Sequence, residues 1–389
     1  MISSSDWIRK NSKKLIELRR WLHMHPEVGF DEHETSTYLK KNLEKIGYTI
    51  VQNKEMKTGF FCDYNSGKSG PILAVRCDMD GLLVEEQSSK EYKSINSGVM
   101  HACGHDVHMT VVAGLAIMVK ELNLELNVTI RFIFQPAEEQ APGGAIAMID
   151  GGAIDNVSHI IGGHVLPKMN AGKIGLKSGF MAAIVELIEV SITGPGGHTS
   201  RPAETVDLVW AMSQLVLSLE KSVKRCTDEQ QPVVLAFGKV VGGNTFNVLP
   251  DSIELKGTLR YLDADLKDRL HSSIDKAILG VEQMTGARIS WSVPYTSPGV
   301  FNDKDITDLL VKASNEAIGE SNTVILKESS MGGEDFAYYL EHIPGSYYRM
   351  GCFDGRVNDV HTPNFDVDES CIDTALIFLV KAVKQYFNQ

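Results

Sequence analysis

Apolar and polar residues alternate along the chain with two different periods. From Asp6 to Leu22 apolar positions recur every three to four residues, the spacing of one helix face. A second such stretch runs from Glu32 to Ile46 and stops at Gly47. Beyond it, short continuous apolar runs take turns with helical patterns. "PILAVRCDMDG" and "NVTIRFIFQPAEE" read as buried strands ending in acidic residues, and "HIIGGHVLP" reads as a third strand. "DVHMTVVAGLAIMVKELN" reads as a helix between the first two. Such alternation predicts an α/β fold with a mostly parallel sheet. Ligands of such sheets collect beyond the carboxyl ends of the strands, and the acidic and histidine clusters fall there.

The pattern changes near Phe180. "AAIVELIEVSITG" has a strand period, and "AETVDLVWAMSQLVLSLEKSV" a helix period. Two strands follow, "PVVLAFGKVVGG" and "DSIELKGTLRYL". Then come the helix "KDRLHSSIDKAILGVEQMTG" and the strand "ARISWSVPY". This β-α-β-β-α-β order is ferredoxin-like. After Pro294 helix and strand segments resume, and the chain ends in the helix "CIDTALIFLVKAVKQYF". The expected architecture is therefore a discontinuous large α/β domain, residues 1–180 and 295–389. It carries an inserted ferredoxin-like α+β domain at 181–294. The 389 residues agree with two domains, at ~100–200 residues each.

Composition narrows the partners. Hydrophobic residues make up 43% and charged residues 23%, which excludes a disordered chain. The net charge of −12 argues against nucleic acid and against an anionic membrane, since both call for a basic surface. The N-terminal stretch "MISSSDWIRKNSKKLIELRRWLHMHP" is charged and amphipathic, without the apolar core of a signal peptide. The longest strongly apolar run, "VVAGLAIMV", falls short of the ~20 residues that span a bilayer. Cys62, Cys77, Cys103, Cys226, Cys352 and Cys371 are scattered and form no C-x-x-C pair. That usage suits reduced thiols in a cytoplasm.

Candidate chemistry concentrates in "GVMHACGHDVHMT", residues 98–110. On a helix Cys103 and His105 would point apart; a loop loosened by Gly104 lets both face one ion. Asp106 suits the N-cap of the following helix, and His108 falls in its first turn. His101 and His108 are expected to shape the loop. "QPAEEQ" places Glu138 and Glu139 side by side after a buried strand. Adjacent carboxylates in a loop can divide their work, one gripping a metal and the other free as a base. His164 in "IGGHVLP" and His361 in "DVHTPNFDVD" follow strand-like or glycine-rich turns. Cys103, His105, Glu139, His164 and His361 supply five ligands, enough for a two-metal site if one group bridges. His23, His25, His33, His159, His271 and His342 read as structural or solvated.

At this point the residues carry a resemblance. "RCDMDGL", "HACGHD", "QPAEE", "GGHVLP", "GPGGHTSRP", "NVLPDSIELKGTLR", "MGGEDFAYY" and "HTPNFDVD" follow one another over nearly the whole chain. As a set they resemble the M20 family of metallohydrolases. The nearest branch is that of hippurate hydrolases, N-acyl amino acid amidohydrolases and auxin-conjugate hydrolases. The resemblance implies a metallohydrolase domain with an inserted lid and dimerisation domain, working as a homodimer. It implies two divalent ions per subunit, with Cys103 as the bridging ligand where peptidase-type relatives use an aspartate. His105 and His164 would complete one site, Glu139 and His361 the other, and Glu138 would be the catalytic base. The chain departs from the peptidase branch at Asp78-Met79-Asp80, where those enzymes carry a histidine ligand in an H-x-D motif. The resemblance then implies that His105 takes that ligand's place and that Asp78 or Asp80 would orient a ligand from behind. The soft thiolate leaves zinc, manganese, cobalt and nickel all open. The resemblance also implies His198 in "GPGGHTS" as the oxyanion donor, lent across the dimer. Asn247 and Arg260 would hold a substrate carboxylate, with Gly333 letting backbone approach the ligand. The implied reaction is hydrolysis of an N-acyl amino acid to a free amino acid and a carboxylic acid. An M20 dipeptidase or carboxypeptidase is the close rival, and a non-catalytic metal-binding protein the distant one.

Overall fold

A computed structural model describes residues 2–65, 67, 70–124, 126, 129–227, 231–356 and 359–387. The chain forms two compact units. The first comprises Met1–Met181, Phe301–Glu328 and Asp335–Gln389; the second comprises Ala182–Val300 with Ser329–Glu334. The second unit thus runs on to Val300 and takes in Gly333, beyond the expected 181–294.

The first unit is built on an eight-stranded sheet. Its order is Ile50–Val51, Phe60–Asn65, Thr129–Gln135, Ile72–Asp78, Val157–Asn170, Gly345–Phe353, Ile174–Leu176 and Thr323–Ile325. Thr129–Gln135, Ile72–Asp78, Val157–Asn170 and Gly345–Phe353 form a parallel centre. Antiparallel pairs flank that centre on both sides. Every residue of Thr129–Gln135 is buried, as a continuous apolar run predicts for a strand covered on both faces. The helices Ser4–Met24, His105–Glu121 and Ser370–Tyr386 pack on one another and share a core that includes Leu15, Val112, Leu376 and Leu379. Gly114 lets them close: a Cβ there would lie 2.9 Å from Leu15 Cδ2 and 3.2 Å from Leu376 Cδ1.

The second unit has a four-stranded antiparallel sheet. Its order is Val233–Gly242, Ser252–Tyr261, Ile184–Thr193 and Arg288–Ser297. The helices Leu208–Lys224 and Lys267–Thr285 bury Leu215, Leu219, Leu270 and Ile274 in a core shared with Ile188, Ile192, Leu255 and Leu259. Element order and strand order are those of a ferredoxin-like fold. No described helix of either unit is long and apolar enough to cross a membrane.

Candidate metal centre

The centre lies beyond the carboxyl ends of the parallel strands of the first unit. Gly104 makes the turn into the helix His105–Glu121 with φ +84°. A Cβ there would come 2.7 Å from Val165 Cγ2, so both the left-handed turn and the close strand require glycine. The helix starts at His105, which corrects the expectation that Asp106 is its N-cap. Gly104 already supplies the turn, and the Asp106 carboxylate is drawn to buried cations instead. It lies 2.8 Å from Arg19 Nε and 2.7 Å from His23 Nδ1, all fully or almost fully buried.

Hydrogen bonds fix the histidines of the centre. His105 Nδ1 lies 3.2 Å from Asp80 Oδ1, while its buried Nε2 has no hydrogen-bond partner. His108 Nδ1 lies 2.6 Å from Asp78 Oδ1, and its Nε2 accepts the Val165 N–H at 3.0 Å. His164 sits within the strand Val157–Asn170 rather than after it. Its Nδ1 donates to the Val165 carbonyl at 2.7 Å, which turns Nε2 to 3.2 Å from Cys103 Sγ. His361, at φ +63°, donates its backbone N–H to Ala102 O. Its Nε2 lies 3.3 Å from Cys103 Sγ and 3.0 Å from Glu139 Oε1. Asp80 also accepts the Glu139 N–H at 3.0 Å. So Asp80 sits behind His105 and Glu139, while Asp78 sits behind His108. His101, almost fully buried, bonds the Asp80 carbonyl at 3.1 Å and shapes the loop.

Donor atoms converge in several groups, each within 4.8 Å, among them Cys103 with His105 and His164, Cys103 with Glu139 and His361, and His105 with Glu138 and Glu139. The first two share Cys103. Sulfur, nitrogen and oxygen donors around a common thiol fit divalent ions of borderline softness. The orphaned His105 Nε2 supplies the decisive fit. A buried ring nitrogen backed by a carboxylate and bonded to nothing costs stability unless a cation takes its lone pair.

Charge points the same way. Burial, reinforced by Glu139 and Glu138, pushes the Cys103 thiol well above its usual range. Divalent cations would reverse that and yield the thiolate. Burial, with His108 and Arg349 beside it, holds His164 well below its ordinary value, so it is neutral as a ligand must be. For His105 burial works downward, but Asp78, Asp80 and Glu139 outweigh it and lift the ring to about 10, so without metal Nε2 holds a proton that a bound cation would displace. Burial alone would raise Asp78, yet His105, His108 and Arg76 keep it ionised. Arg76 in turn bridges Asp78 at 2.7 Å and Asp335 at 2.6 Å. The centre is an anion-rich, largely buried pocket of side chains in search of cations.

Sequence reasoning passed over the segment "PEVGFDE", residues 26–32. Glu32 is fully buried and accepts the Ala137 N–H at 2.8 Å and the Thr58 hydroxyl at 2.5 Å. Ala137, at φ +48°, is the turn residue directly before Glu138. Gln140 donates to Gly29 O at 3.0 Å, and a Cβ at Gly29 would lie 2.8 Å from Ala137 Cβ. Glu27 O accepts the Gly81 N–H at 2.7 Å, next to Asp80. One loop therefore grips the turns that carry both Glu138–Glu139 and Asp80. The only signal in the sequence was a glycine and an acidic residue in what reads as an ordinary surface turn.

Comparison with known proteins places this geometry. Peptidase family M20/M25/M40 matches residues 74–385. The chain belongs to that family. It is 38% identical over 379 residues to an N-acetyl-L-cysteine deacetylase of Bacillus subtilis, covering 97% of this chain and 89% of the relative. It is 34% identical over 366 residues to the IAA-amino acid hydrolase ILR1-like 4 of Arabidopsis thaliana, covering 92% and 82%. Among solved structures it is similar to the Bacillus subtilis YXEP protein, described as a dinuclear metal binding peptidase from the M20 family. There the TM-score is 0.84 at 32% identity, covering 98% of this chain and 99% of that one. Like its M20 relatives, the chain is a hydrolase of amide bonds.

The remaining M20 candidates lie in the second unit. His198 is exposed on the short strand Gly197–His198, opposite Val248. Its Nδ1 accepts from Ser200 N at 3.1 Å and lies 2.8 Å from Ser200 Oγ. Thr199 N donates to Asn247 O at 3.2 Å, so His198 and Asn247 share one small ladder. Arg260 lies opposite Val185 and donates from Nη1 to Met331 O at 2.8 Å. Gly333 is close by, where a Cβ would lie 3.3 Å from Val185 Cγ2. Within this unit the candidates thus fall into two pairs, His198 with Asn247 and Arg260 with Gly333.

Proposed function

We propose that the protein is a metal-dependent amidohydrolase that cleaves N-acyl amino acids to a free amino acid and a carboxylic acid. The observation that carries this reading is the pair of donor groups sharing Cys103, with Glu138 beside them and the M20 relatives' amide substrates behind them. The ligands are Cys103, His105 and His164 for one ion and Cys103, Glu139 and His361 for the other, with zinc, manganese, cobalt or nickel as the metal. Bound there, the ions would lower the pKa of a water from 15.7 towards ~7 and polarise an acyl carbonyl.

The chain's own residues do the rest. Glu138, whose turn is clamped through Ala137 and Gln140, takes the proton of the attacking water and passes it to the leaving amine. Asp80 holds His105 and the Glu139 backbone so that neither reorganises during the reaction. His198 donates to the developing oxyanion, and Arg260 and Asn247 receive the substrate α-carboxylate, with Gly333 leaving room for the ligand.

The reading extends to assembly and location. A homodimer through the second unit would cover exposed apolar residues on the helix Leu208–Lys224 (Val209, Trp210, Leu217) and on the edge strand Val233–Gly242 (Val234, Val240, Val241). The edge strand offers one unpaired side for a partner. All six cysteines are buried free thiols, which suits a cytoplasmic protein. The acidic net charge fits a small-molecule substrate rather than nucleic acid or membrane.

The test is a screen of N-acetyl, N-benzoyl and indole-acetyl amino acids against matching dipeptides, with each of the four metals and with chelator. N-acyl amino acids should be hydrolysed and chelator should stop it. Turnover of dipeptides alone, with a requirement for the free α-amine, would transfer the assignment to the peptidase branch.

A further inference from the structure

Among the described residues of the first unit, the buried arginines meet anions or carbonyls. Arg19 meets Asp106, Asp366 and Glu369. Arg76 meets Asp78, Asp335 and Gln135. Arg131 meets Asp63 and the carbonyls of Ala153 and Asp155. Arg349 is different. It is partly buried on the strand Gly345–Phe353, and its guanidinium rests over the Tyr347 ring at 5.2 Å. Among the described residues it has no carboxylate or carbonyl partner. In a chain of net charge −12 such an arginine stands apart, because a cation taken partly out of water costs free energy until an anion meets it.

Its place in the sheet is informative. Arg349 is the direct register partner of His164 on one side and of Gly175 on the other. Directly paired residues project from the same face of a sheet. The guanidinium therefore stands on the His164 face, next to a metal-ligand candidate. On its other side Gly175 contributes no side chain, and Leu326 fills that place, within 3.1 Å of where a Cβ would be. An aromatic floor, an aliphatic neighbour and an imidazole leave the fork of the arginine as the sole charged group of this row beyond His164. A planar fork on an apolar floor is matched by a carboxylate, bound through two parallel hydrogen bonds.

We propose that Arg349 receives a second carboxylate of the substrate, distinct from the α-carboxylate assigned to Arg260, so that the preferred substrates are dianionic N-acyl amino acids. The proposal rests on the amidohydrolase reading above. The second carboxylate has two chemical sources, an acidic amino-acid side chain or a dicarboxylic acyl group, and both present the same anion to the guanidinium.

Two matched substrate pairs separate the sources in the metal-loaded enzyme. N-acetylglutamate against N-acetylglutamine tests the amino-acid side, and N-succinylalanine against N-butyrylalanine tests the acyl side. The readout is the ratio of kcat/KM for the dianion to that for its monoanionic match, taken within one preparation so that the folded fraction cancels. The parent should favour the dianion of one pair by about tenfold to a hundredfold. Arg349→Met should bring that ratio to about one, and Arg349→Lys, which keeps the charge without the fork, should fall between. Calorimetric binding of the products glutamate and succinate should show the same Arg349 dependence without turnover. A parent with no preference in either pair overturns the proposal, and so does a preference that Arg349→Met leaves intact. If the monoanionic members are turned over while no Arg349-dependent preference exists, only this inference falls. If no member of either pair is hydrolysed with any metal, the amidohydrolase reading falls and takes the inference with it.

Discussion

His105 and His198 each follow a glycine, and the contrast between them separates the two units of the chain. His105 is fully buried, with Asp80 on one ring nitrogen and no hydrogen-bond partner on the other. The groups that hold it come from sequence positions far away, as Asp80, Asp78 and Glu139 do. His198 is exposed on a two-residue strand, and its ring bonds Ser200, two positions along. A metal ligand must be rigid before the ion arrives, because ligand geometry sets affinity. A group that meets the substrate only in the transition state can be held by a short ladder and tighten when the substrate binds. The first unit is over-determined around its centre, and the second presents His198 on a short, exposed ladder.

The sharpest way to break this contrast is to remove the proposed base from the rigid side. Glu138→Gln keeps the shape of the side chain but cannot accept the water's proton. Turnover should fall by ~10²–10⁴ while both ions stay bound. Metal content by mass spectrometry and turnover should be read on the same sample. A Gln variant that works nearly as well as the parent would move the base elsewhere and leave Glu138 as a ligand neighbour.

On the exposed side, His198→Ala should cost ~10²–10³ in turnover with no change in metal content. Mixing then asks which copy uses the histidine. Glu138→Gln and His198→Ala homodimers should each be nearly inactive. If His198 is lent to the partner copy, one site of each mixed dimer holds both intact residues, and random pairing restores roughly a quarter of parent activity. If it works within its own copy, no site is whole and the mixture stays inactive. A monomer by light scattering would dismiss the exchange outright.

The same contrast explains what was legible in the sequence. The strand and helix periods of both units were readable, because burial on one face or both leaves a regular apolar pattern. Cys103, His105, Glu138, Glu139, His164 and His361 stood out as metal-capable groups next to strands, and the structure brings them together. What stayed hidden depends on long-range partners. Asp106 looked like a helix cap because nothing nearby in sequence announces Arg19 or His23 as its partners. Which of Asp78 and Asp80 backs which histidine is a matter of strand register. Glu32 and Gly29 gave no chemical signal, since their work is to hold the backbone of another segment. In the second unit His198, Asn247, Arg260 and Gly333 came from resemblance alone, as single polar residues and glycines leave no periodic trace.

Removing the support behind a proposed ligand should have a smaller effect than removing the proposed base or oxyanion donor. Asp80→Ala deletes the partner of His105 Nδ1 and of the Glu139 N–H together. Metal affinity should fall by ~10–100-fold, and excess metal should restore most of the turnover. Competition with a chromogenic chelator measures the first, and a metal titration of activity the second. If turnover stays low at saturating metal, Asp80 takes part in the chemistry itself rather than in holding the ligands.

The smallest expected effect concerns how tightly the rigid side is tuned, and it is read in stability rather than in turnover. Burial lifts the Glu32 carboxyl from its ordinary 4.5 to about 7, with Asp80 adding to the shift and the bonds from Thr58 and Ala137 opposing it. The unfolded chain therefore releases this proton near 4.5 and the folded chain near 7. Between those values the folded state binds more protons than the unfolded one, so this group's contribution to stability falls as pH rises through the window. Glu32→Gln cannot ionise, yet it keeps an acceptor for the Ala137 N–H and an amide to set against the Thr58 hydroxyl. The protein should be treated with chelator first, because cations in the centre would favour the charged carboxylate. Urea unfolding at pH ~5 and pH ~7 should then show the parent losing stability towards neutrality relative to the variant. Curves that shift in parallel would mean that Glu32 ionises in the fold without penalty. The turn before Glu138 would then be gripped by Gly29 and Gln140, and the clamp would be one of shape rather than of charge.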